Sequence, residues 1–502
     1  MFLLNAIDEF LNKYTMYRVM LWYLICLWII AIVLGFFGIL SYSPVVIFLE
    51  GILLVSVSYG VNKLFSLLFH APTNFESVYI SALILVFLIT PVLSLDNMLF
   101  MAITSVLAMA SKYLLTFHKK HMFNPVAIAL VITSFALGKS ASWWIGTASM
   151  LPFVLIGGLL VVRKIQRGDL VLSFFLTATA TMAILSFSLN PSDLLKRILL
   201  DTPLVYCGLV MLTEPSTTPP TRMLRVLYGG IVGILFAPGI FLYATPELAL
   251  VIGNIFSFLV SPKAKFFLSL KEKIQLAPDM ADFVFPKAQN FSFTPGQYME
   301  WTLAHSHTDF RGNRRYFTLA SSPTEETIRI GVRFNEPSSS FKKALNALNT
   351  KKQIIATQLS GEFVLPKNTN QKLAFLAGGI GITPYRSMIK YLLDKNQKRD
   401  IVLFYAAKDQ KEFAYVDIFN YAQKLLGINT VYAITDTQNI PKNWKGQSGR
   451  ITPEMIKNKI PDYKERLFYL SGPQQMVKAF EKLLKDMGIT GRQIKKDFFP
   501  GF

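Results

Sequence analysis

The sequence predicts a multidomain membrane protein in which a ten-span α-helical bundle precedes an antiparallel β-barrel and a doubly wound α/β domain. Residues 1–262 contain only 14 Lys or Arg and 10 Asp or Glu, whereas the remainder of the 502-residue chain contains 37 and 21. Long apolar stretches fill the first part, short alternating strands the middle, and apolar strands alternating with helices the last. We therefore predict domains at 1–262, 266–370 and 371–502.

Ten apolar stretches of the first domain are each close to the ~20 residues that cross a bilayer. The spans are predicted at 19–40, 44–65, 77–95, 98–116, 122–138, 142–162, 169–188, 200–213, 224–238 and 244–261. The fifth, eighth and ninth are short, so we expect them to be tilted, broken or enclosed by protein. No small-residue cleavage site follows the long first span, so a cleaved signal peptide is not predicted.

Loop charges predict the orientation of these spans. With ten spans, both termini lie on one side, which holds eleven Lys or Arg, whereas the other side holds Lys139, Lys196 and Arg197. The positive-inside rule then predicts a multi-pass protein of the cell inner (cytoplasmic) membrane with both termini and the second half in the cytoplasm. Similar Pro-containing ends of spans three and eight suggest a five-plus-five inverted repeat, with chance similarity between apolar helices as the alternative.

Composition excludes several classes of protein and site. Hydrophobic residues make up 52% of the chain, which excludes a disordered or nucleic-acid-binding tail, and we expect no nucleic-acid partner. Cys26 and Cys207 are the two cysteines, too few for a four-Cys iron–sulfur site or a Cys-rich zinc site, and we predict no metal site. Intramembrane haem is disfavoured, because His70, His118 and His121 lie at span ends rather than at depth.

Polar residues near the spans are candidate binding residues. Those noted are Glu50, Asn124, Asp201, Glu214, Glu247 and Asn254. Asp201 and Glu247 fit interfacial helix ends, whereas the position of Asn124, Glu214 and Asn254 beside prolines or in short spans favours a cofactor cavity.

Short segments of the first domain occur in the order and spacing of a known membrane family. They are His121–Ala127, Ala148–Leu151, Gly157-Gly158, Arg163-Lys164, Leu212–Pro219, Arg222, Tyr228–Gly230, Glu247 and Asn254. Residues 75–262 thus resemble the NqrB/RnfD family, the flavin-carrying membrane subunits of the sodium-translocating NADH:quinone reductase and of the Rnf complex. The resemblance implies a non-covalent FMN or riboflavin near Asn124, Glu214, Thr217 and Asn254. The Ser-Gly-Ala-Thr-like segment that carries covalent FMN in that family is missing here.

The second half contains motifs suited to two nucleotide cofactors. Arg315–Ser321 reads Arg-Tyr-Phe-Thr-Leu-Ala-Ser, in which the Arg fork can bind a pyrophosphate and the aromatic can stack on a flavin. Ser340 lies where a helix is predicted to begin, a position that favours anions. Gly378–Pro384 follows a strand and precedes a helix, where glycines let the backbone approach a pyrophosphate.

These motifs resemble those of ferredoxin–NADP reductase-like enzymes over residues 268–502. The resemblance implies FAD contacts from Arg315, Tyr316, Phe317, Thr318, Ser321 and Ser340. It implies contacts to NADH or NADPH from Gly378, Gly379, Gly381, Thr383, Pro384, Thr435, Asp436, Gly472, Pro473 and Met476. Ser471 replaces a cysteine of that family, and we predict catalytic roles for Thr318, Ser471 and Phe502. Phe499 or Phe502 would cover the flavin; packing of the tail on the barrel is the alternative.

The function predicted from this organisation is that of an NAD(P)H-dependent, FAD-containing oxidoreductase in the lipid bilayer. Electrons would pass from FAD to a flavin or quinone in the membrane domain, or onward to an extracytoplasmic flavoprotein. Asp436 favours NADH because its charge repels a 2′-phosphate, although Lys408 argues for NADPH. Two alternatives stay open: a redox-driven cation pump module, and a flavin transporter with a regulatory reductase domain.

Overall fold

A computed structural model describes residues 2–69, 75–118, 120–240, 243–261, 264–289, 291–309, 311–438 and 440–497. Within it the chain divides into two compact units, Met1–Lys265 and Phe266–Phe499. We call these the N-terminal unit and the C-terminal unit and describe each by itself.

The N-terminal unit is almost entirely helical. Its helices are α1 Phe2–Asn12, α2 Met16–Phe36, α3 Pro44–Leu68, α4 Phe75–Leu88, α5 Leu95–Leu114, α6 Pro125–Leu137, α7 Leu151–Ile165, α8 Gly168–Leu185, α9 Pro191–Leu199, α10 Leu204–Tyr206, α11 Arg222–Phe236 and α12 Pro246–Val260. A two-residue hairpin, β1 Thr116–Phe117 and β2 Lys120–His121, precedes α6. Among the described residues, α2, α3, α5 and α8 are long and apolar enough to cross a membrane, while α4, α6 and α12 are apolar but shorter. These helices favour membrane association; the ten-span topology and the inverted repeat stay predictions.

Two predicted spans differ from continuous helices. In the stretch 200–213, α10 is followed by a π-helical turn at Cys207–Met211. Pro203 explains the late start, because proline cannot donate the hydrogen bond that an α-helix interior requires. The stretch 142–162 begins with a 3-10 turn at Trp144–Gly146 and becomes α-helical only at Leu151. The short helix α9 forms where we predicted a connection, capped by the Asn190 side chain, which accepts from the Asp193 N–H.

Small residues allow the closest helix pair of the N-terminal unit to form. A Cβ atom on Gly229 of α11 would lie 2.5 Å from the Leu170 carbonyl oxygen of α8, and one on Gly233 would lie 2.6 Å from that of Phe174. Only glycine permits the two backbones to approach this far, as in the small-residue interfaces of membrane helices.

The first part of the C-terminal unit consists of seven antiparallel strands and one short helix. They are β3 Phe266–Ser269, β4 Glu272–Ala277, β5 Met280–Pro286, β6 Tyr298–Thr302, β7 Arg314–Thr318, β8 Thr327–Arg333, α13 Ser340–Asn346 and β9 Gln353–Ser360. Hydrogen bonding divides them into two sheets, ordered β3-β9-β6-β7 and β4-β5-β8, around one core that contains Phe283, Trp301 and Phe341. A single closed barrel, as predicted, is not confirmed for the described strands.

The second part is a parallel α/β sheet. Its elements are β10 Leu373–Gly378, α14 Thr383–Asp394, β11 Ile401–Ala407, α15 Val416–Leu426, β12 Asn429–Ile434, β13 Gln447–Ser448, α16 Pro453–Lys459, β14 Leu467–Ser471, α17 Gln474–Asp486 and β15 Ile494–Lys496. The strand order is β13-β12-β11-β10-β14-β15, and the described pairs are parallel. The chain leaves β10 toward one edge and returns at β14 toward the other, so these two strands flank the point where doubly wound sheets bind ligands.

Candidate active site

The glycine motifs that we predicted to hold a nicotinamide nucleotide meet at the carboxyl ends of β10 and β14. A Cβ atom on Gly381 would lie 2.5 Å from the Cα atom of Gly472 and 2.5 Å from the Ser471 carbonyl oxygen. Gly379 has a φ of +52°, a conformation that side chains with a Cβ atom rarely adopt. The two loops therefore pack directly on each other, with Gly379 and Gly381 buried, at the edge where doubly wound sheets bind a pyrophosphate; we call this junction the glycine crevice.

The remaining residues of these motifs lie at the N-terminal ends of helices α14 and α17. Pro384 lies in the first turn of α14, where its missing N–H is not needed. The Thr383 hydroxyl donates to the Ile380 carbonyl oxygen over 3.3 Å. Pro473 precedes α17, and Met476 in the first turn of that helix packs against Gly378. The predicted nicotinamide-binding residues of β10 and β14 are thus brought together.

A buried carboxyl group that we did not single out from the sequence lies beside Ser471. The Ser471 hydroxyl donates to Oδ2 of Asp497 over 2.9 Å, and Oδ1 of Asp497 is buried without a hydrogen-bond partner in the described part of the chain. Burial raises the pKa of Asp497 to about 7, although the Ser471 hydrogen bond opposes the shift. No sequence signal marked this carboxyl group, which follows the short edge strand β15.

We expect Asp497 to make the C-terminal unit less stable as the pH rises. Its pKa of about 7 in the folded chain exceeds the ~3.9 of an unfolded aspartate, so folding favours the protonated form. The associated stability is present below about pH 4 and is lost as the pH rises through about 7, a change of about 2–4 kcal/mol. Thermal unfolding followed by release of flavin fluorescence from pH 5 to 8 should show this fall. The Asp497→Asn variant should not show it; an equal fall in both proteins would contradict the prediction.

The end of β12 carries the residues that we predicted to select the nicotinamide nucleotide. The backbone N–H and the hydroxyl of Thr435 donate to the Ala407 carbonyl oxygen over 2.9 and 3.1 Å. Asp436 is partly exposed, and one of its oxygens accepts from the Gln438 N–H over 3.1 Å. The carboxylate therefore lies at the carboxyl end of the strand next to β11, where an acidic residue suits a ribose hydroxyl.

Strand β7 presents part of the predicted FAD motif. The Tyr316 hydroxyl donates to Oε2 of Glu300 over 2.8 Å, and its ring stands edge-on to Tyr298, 5.5 Å away. Tyr316 is partly exposed. Phe317 points elsewhere and packs against Phe341 in the core, as alternation along a strand requires. Thr318 is buried at the end of the strand.

The Arg315 guanidinium, which we predicted to bind a pyrophosphate, is engaged with carbonyl groups of the protein. Arg315 is buried, and its Nη1 donates to the carbonyl oxygens of Arg311, Gly312 and Arg314 over 2.6–3.3 Å. The carboxylate of Asp309 accepts from the Ser340 N–H over 2.9 Å and lies 3.6 Å from Nη2 of Arg315.

These hydrogen-bond donors and arginines already surround one anionic group, the Asp309 carboxylate. Although burial opposes the shift, the Ser340 and Arg311 N–H groups and the nearby arginines lower the pKa of Asp309. Backbone N–H and guanidinium groups are donors of the kind that also bind phosphate. The Ser340 hydroxyl also contacts Nε2 of His305 over 3.1 Å, a neighbour that we did not predict.

Helix α14 ties the two motif sets together within the C-terminal unit. The Arg386 guanidinium donates to the Ala320 carbonyl oxygen over 2.7 Å and to both carboxylate oxygens of Glu325 over 2.6 and 2.9 Å. The Ser387 hydroxyl donates to the Ser321 carbonyl oxygen over 2.6 Å. Ala320 and Ser321 end the predicted FAD motif, while Arg386 and Ser387 follow the glycine motif by one turn. We did not single out Arg386 or Ser387 from the sequence.

In the N-terminal unit, three helices are joined by buried amides. Oδ1 of Asn254 accepts from the Asn124 N–H over 2.7 Å, and its Nδ2 donates to the Tyr228 hydroxyl over 2.9 Å. Oδ1 of Asn124 caps α6 by accepting from the Val126 and Ala127 N–H groups. These amides are therefore hydrogen-bonded within the helix bundle.

The other predicted residues of this unit border a small open cleft. It is lined by Phe117, Lys120, His121, Met122, Ser216, Thr217, Ser257, Phe258 and Ser261. Glu214 accepts from the Thr217 hydroxyl over 3.1 Å and lies 3.7 Å from Nε2 of His121. Its interior of about 10 Å³ is roughly the space of one water molecule, so the cleft as described does not enclose a whole flavin nucleotide. Phe499 and Phe502 lie outside the described residues.

Comparisons with known proteins identify the chemistry of the C-terminal unit. Residues 375–482 match the family model of the oxidoreductase NAD-binding domain. The C-terminal unit carries an oxidoreductase NAD-binding domain. The predictions of an oxidoreductase, and of FAD and a nicotinamide nucleotide as its cofactors, are confirmed, as is a ferredoxin–NADP reductase-like module in this half.

Curated relatives match this half of the chain. A flavohemoprotein of Bacillus cereus is 26% identical over 216 residues, 41% of this chain and 53% of its own length. One component of the Na(+)-translocating NADH-quinone reductase of Yersinia pestis is 29% identical over 201 residues, 37% of this chain and 49% of its own length. The chain spans about half the length of these relatives.

Solved structures also match this half. The FAD/NAD binding domain of nitric oxide dioxygenase from Vibrio cholerae covers 46% of this chain and 98% of its own length, with 18% identity and a TM-score of 0.41. The Amycolatopsis cytochrome P450 reductase GcoB covers 47% of this chain and 70% of its own length, with 21% identity and a TM-score of 0.42.

Proposed function

We propose that the chain is a membrane-bound flavoprotein that oxidises NADH or NADPH at its C-terminal unit and delivers the electrons to a flavin or quinone in its N-terminal unit. One observation carries the proposal: Arg386 and Ser387 join the end of the FAD motif to the helix that follows the glycine crevice. Two cofactor sites held by one set of hydrogen bonds are what direct hydride transfer requires. The proposed domains are 1–262, 266–370 and 371–502.

The residues of the crevice bind and orient, whereas the redox chemistry belongs to the cofactors. FAD, when bound, accepts a hydride and can release electrons singly. Gly378, Gly379, Gly381 and Gly472 are the proposed contacts to the nucleotide beside β10 and β14. Ser471, held by Asp497, is directed toward the nicotinamide end, and the proposed role of Phe499 or Phe502 is to cover the flavin. Arg315, Tyr316, Thr318, Ser321 and Ser340 are the proposed FAD contacts.

NADH is the proposed donor in preference to NADPH, because Asp436 lies where a 2′-phosphate would approach. We expect Asp436→Ser to lower KM for NADPH by about tenfold, since removal of one like charge is worth roughly 1–2 kcal/mol at partial exposure. KM for NADH should rise. Steady-state oxidation of both nucleotides by the full chain measures the ratio, and Asp409→Ser is the control at the end of β11. A ratio that is unchanged in the Asp436 variant would contradict the assignment.

For the N-terminal unit we propose the NqrB/RnfD-like organisation, with ten spans in the inner membrane and both termini in the cytoplasm. Four long apolar helices and the similarity to a component of a quinone reductase support membrane association and a quinone acceptor. Because the cleft beside Glu214 and Thr217 is too small for a whole flavin nucleotide, we derive no electron-transfer step through it. A quinone, or an extracytoplasmic flavoprotein beyond it, would accept the electrons.

Quinone reduction by the full chain tests this arrangement. The chain in detergent and a fragment of residues 263–502 would each be given NADH and a short-chain quinone. We expect both proteins to reduce the soluble acceptor ferricyanide and only the full chain to reduce the quinone rapidly. Equal quinone reduction by the fragment would show that the N-terminal unit is not the electron acceptor.

A further inference from the structure

Helix α3 carries a buried carboxyl group outside the region on which the family resemblance rests. Glu50 is 2% exposed, and both of its carboxylate oxygens are buried without a hydrogen-bond partner among the described residues. A bare carboxylate in such a place is costly, so the group is stable there only when it holds a proton or a cation. Ionisable residues inside a membrane helix usually mark a pathway for a substrate or an ion.

The charged groups on the helices that pack against α3 are engaged with other partners. Arg18 of α2 pairs with Glu76 of α4 over 2.9 Å. On α5, Asp96 pairs with Lys139, and the Lys112 ammonium donates to the Ser77 carbonyl oxygen and to the Ser81 hydroxyl over 3.0 Å each. These contacts supply no counter-ion for Glu50, which favours a proton as its occupant.

Further polar groups follow Glu50 along the same face of α3. Ser58 and Asn62 are buried at eight and twelve residues beyond it, a spacing that keeps all three on one side of a helix. The face packs against α5, where the Tyr113 hydroxyl donates to Oδ1 of Asn62 over 3.0 Å. Ser105 of α5 is buried, and its hydroxyl has no hydrogen-bond partner among the described residues; the same is true of Ser58. We call these five residues the polar stripe.

The contact between Asn62 and Tyr113 indicates which residues of α3 and α5 lie at the same height along the two helices. Both residues lie in the last two turns of their helices, so α3 and α5 run side by side in one direction. Ser105, eight residues before Tyr113, then lies level with Leu54, midway between Glu50 and Ser58. Successive levels are therefore offset by about 6 Å along the helix axis at 1.5 Å per residue. Water molecules can bridge polar groups that are too far apart for a direct hydrogen bond.

We propose that Glu50 is a proton-binding site within the membrane, reached from the end of α3 near Tyr113 through Asn62, Ser58 and Ser105. The proton moves by exchange of hydrogen bonds along the stripe, with no redox step and no other reactant. The proposal goes beyond the proposed oxidoreductase activity and does not depend on it. The variant Glu50→Gln keeps the shape of the side chain and removes the ionisable proton, so it changes this site specifically.

Infrared spectroscopy of the full chain in detergent tests the site without any turnover. At neutral pH, the wild type minus Glu50→Gln spectrum should contain the C=O band of a protonated carboxyl group, and that band should shift in D₂O. Glu9→Gln, which alters an exposed carboxylate of α1, should leave the band in place. A band that is missing from the wild type, or unchanged in Glu50→Gln, would overturn the assignment.

The rate of exchange tests the route. After transfer into D₂O, the Glu50 band should shift at least about tenfold more slowly in a Ser58→Ala, Ser105→Ala double variant, corresponding to an added barrier of about 1.4 kcal/mol. Both variants should retain the helix content and the thermal stability of the wild type by circular dichroism, which reports folding of the helices. Exchange at the wild-type rate would refute the relay. A band that appears only when sodium is removed would replace the proton by a cation as the occupant and equally overturn the proposal.

Discussion

Replacing Arg386 by methionine is expected to lower the free energy of unfolding of the C-terminal unit by about 3 kcal/mol and to slow flavin reduction about a hundredfold. The first effect follows because the largely buried Glu325, which accepts two hydrogen bonds from Arg386, would keep as partners only the Ser322 N–H and the more distant Arg329 guanidinium, 3.9 Å away, among the described residues. The second follows because a shift of about 1 Å between the two cofactor sites costs roughly two orders of magnitude in rate. Denaturant unfolding and anaerobic stopped-flow reduction by NADH measure the two effects.

Two controls separate the buried pair from a general loss of charge. Lys390→Met removes an exposed ion pair to Asp394 on the same helix and should cost less than about 1 kcal/mol. The double variant Arg386→Met, Glu325→Gln also removes the carboxylate that has lost its arginine. It should recover much of the lost free energy of unfolding but little of the lost rate of flavin reduction. Full restoration of both would show that Arg386 does not position the nucleotide domain.

Gly381→Ala is expected to raise KM for NADH at least about a hundredfold and to leave the FAD content of the protein unchanged. The added methyl group would lie 2.5 Å from the Cα atom of Gly472 and 2.5 Å from the Ser471 carbonyl oxygen. Both are backbone atoms, so the crevice must open and lose its fit to the nucleotide, a loss of about 3 kcal/mol for a hundredfold change.

Gly491→Ala is the matched control for this change. A Cβ atom on Gly491 meets no atom within 4 Å, so this variant should keep the wild-type KM and thermal stability. Nucleotide oxidation measured over a range of NADH concentrations, with acid-released FAD quantified in parallel, distinguishes a damaged crevice from an unfolded domain. Wild-type KM in Gly381→Ala would show that NADH does not bind at this crevice.

The sequence predicted those features of the fold and the site that depend on residues close together in the chain. Gly378–Pro384 and Ser471–Pro473 each join a strand to a helix, and the structure brings them together because parallel strands end at one edge. Helix starts marked by Pro or Asn, such as that of α6 at Asn124, follow from capping. Strands of the antiparallel part were recognisable from their alternation, whereas their division into two sheets depends on long-range pairing that spacing does not reveal.

The less predictable residues act across long sequence separations. Arg386 lies 66 residues from Ala320, and Asp497 lies 26 residues from Ser471, so no local pattern links either pair. The position of the partly exposed Asp309 carboxylate beside Arg315 depends on a contact between a loop and a strand that no local pattern shows. The π-helical turn at Cys207–Met211, where Gly208 packs against Phe174, is a further feature that apolarity alone does not show.

Anaerobic titration of the purified full chain with NADH tests the central claim most directly. After acid precipitation has established the flavin content, the absorbance of the bound flavin would be followed as NADH is added. We predict one acid-released FAD per chain that is bleached by one equivalent of NADH and reoxidised on addition of a quinone. A chain that holds no FAD, or whose FAD is not bleached by either nicotinamide nucleotide, would contradict the account.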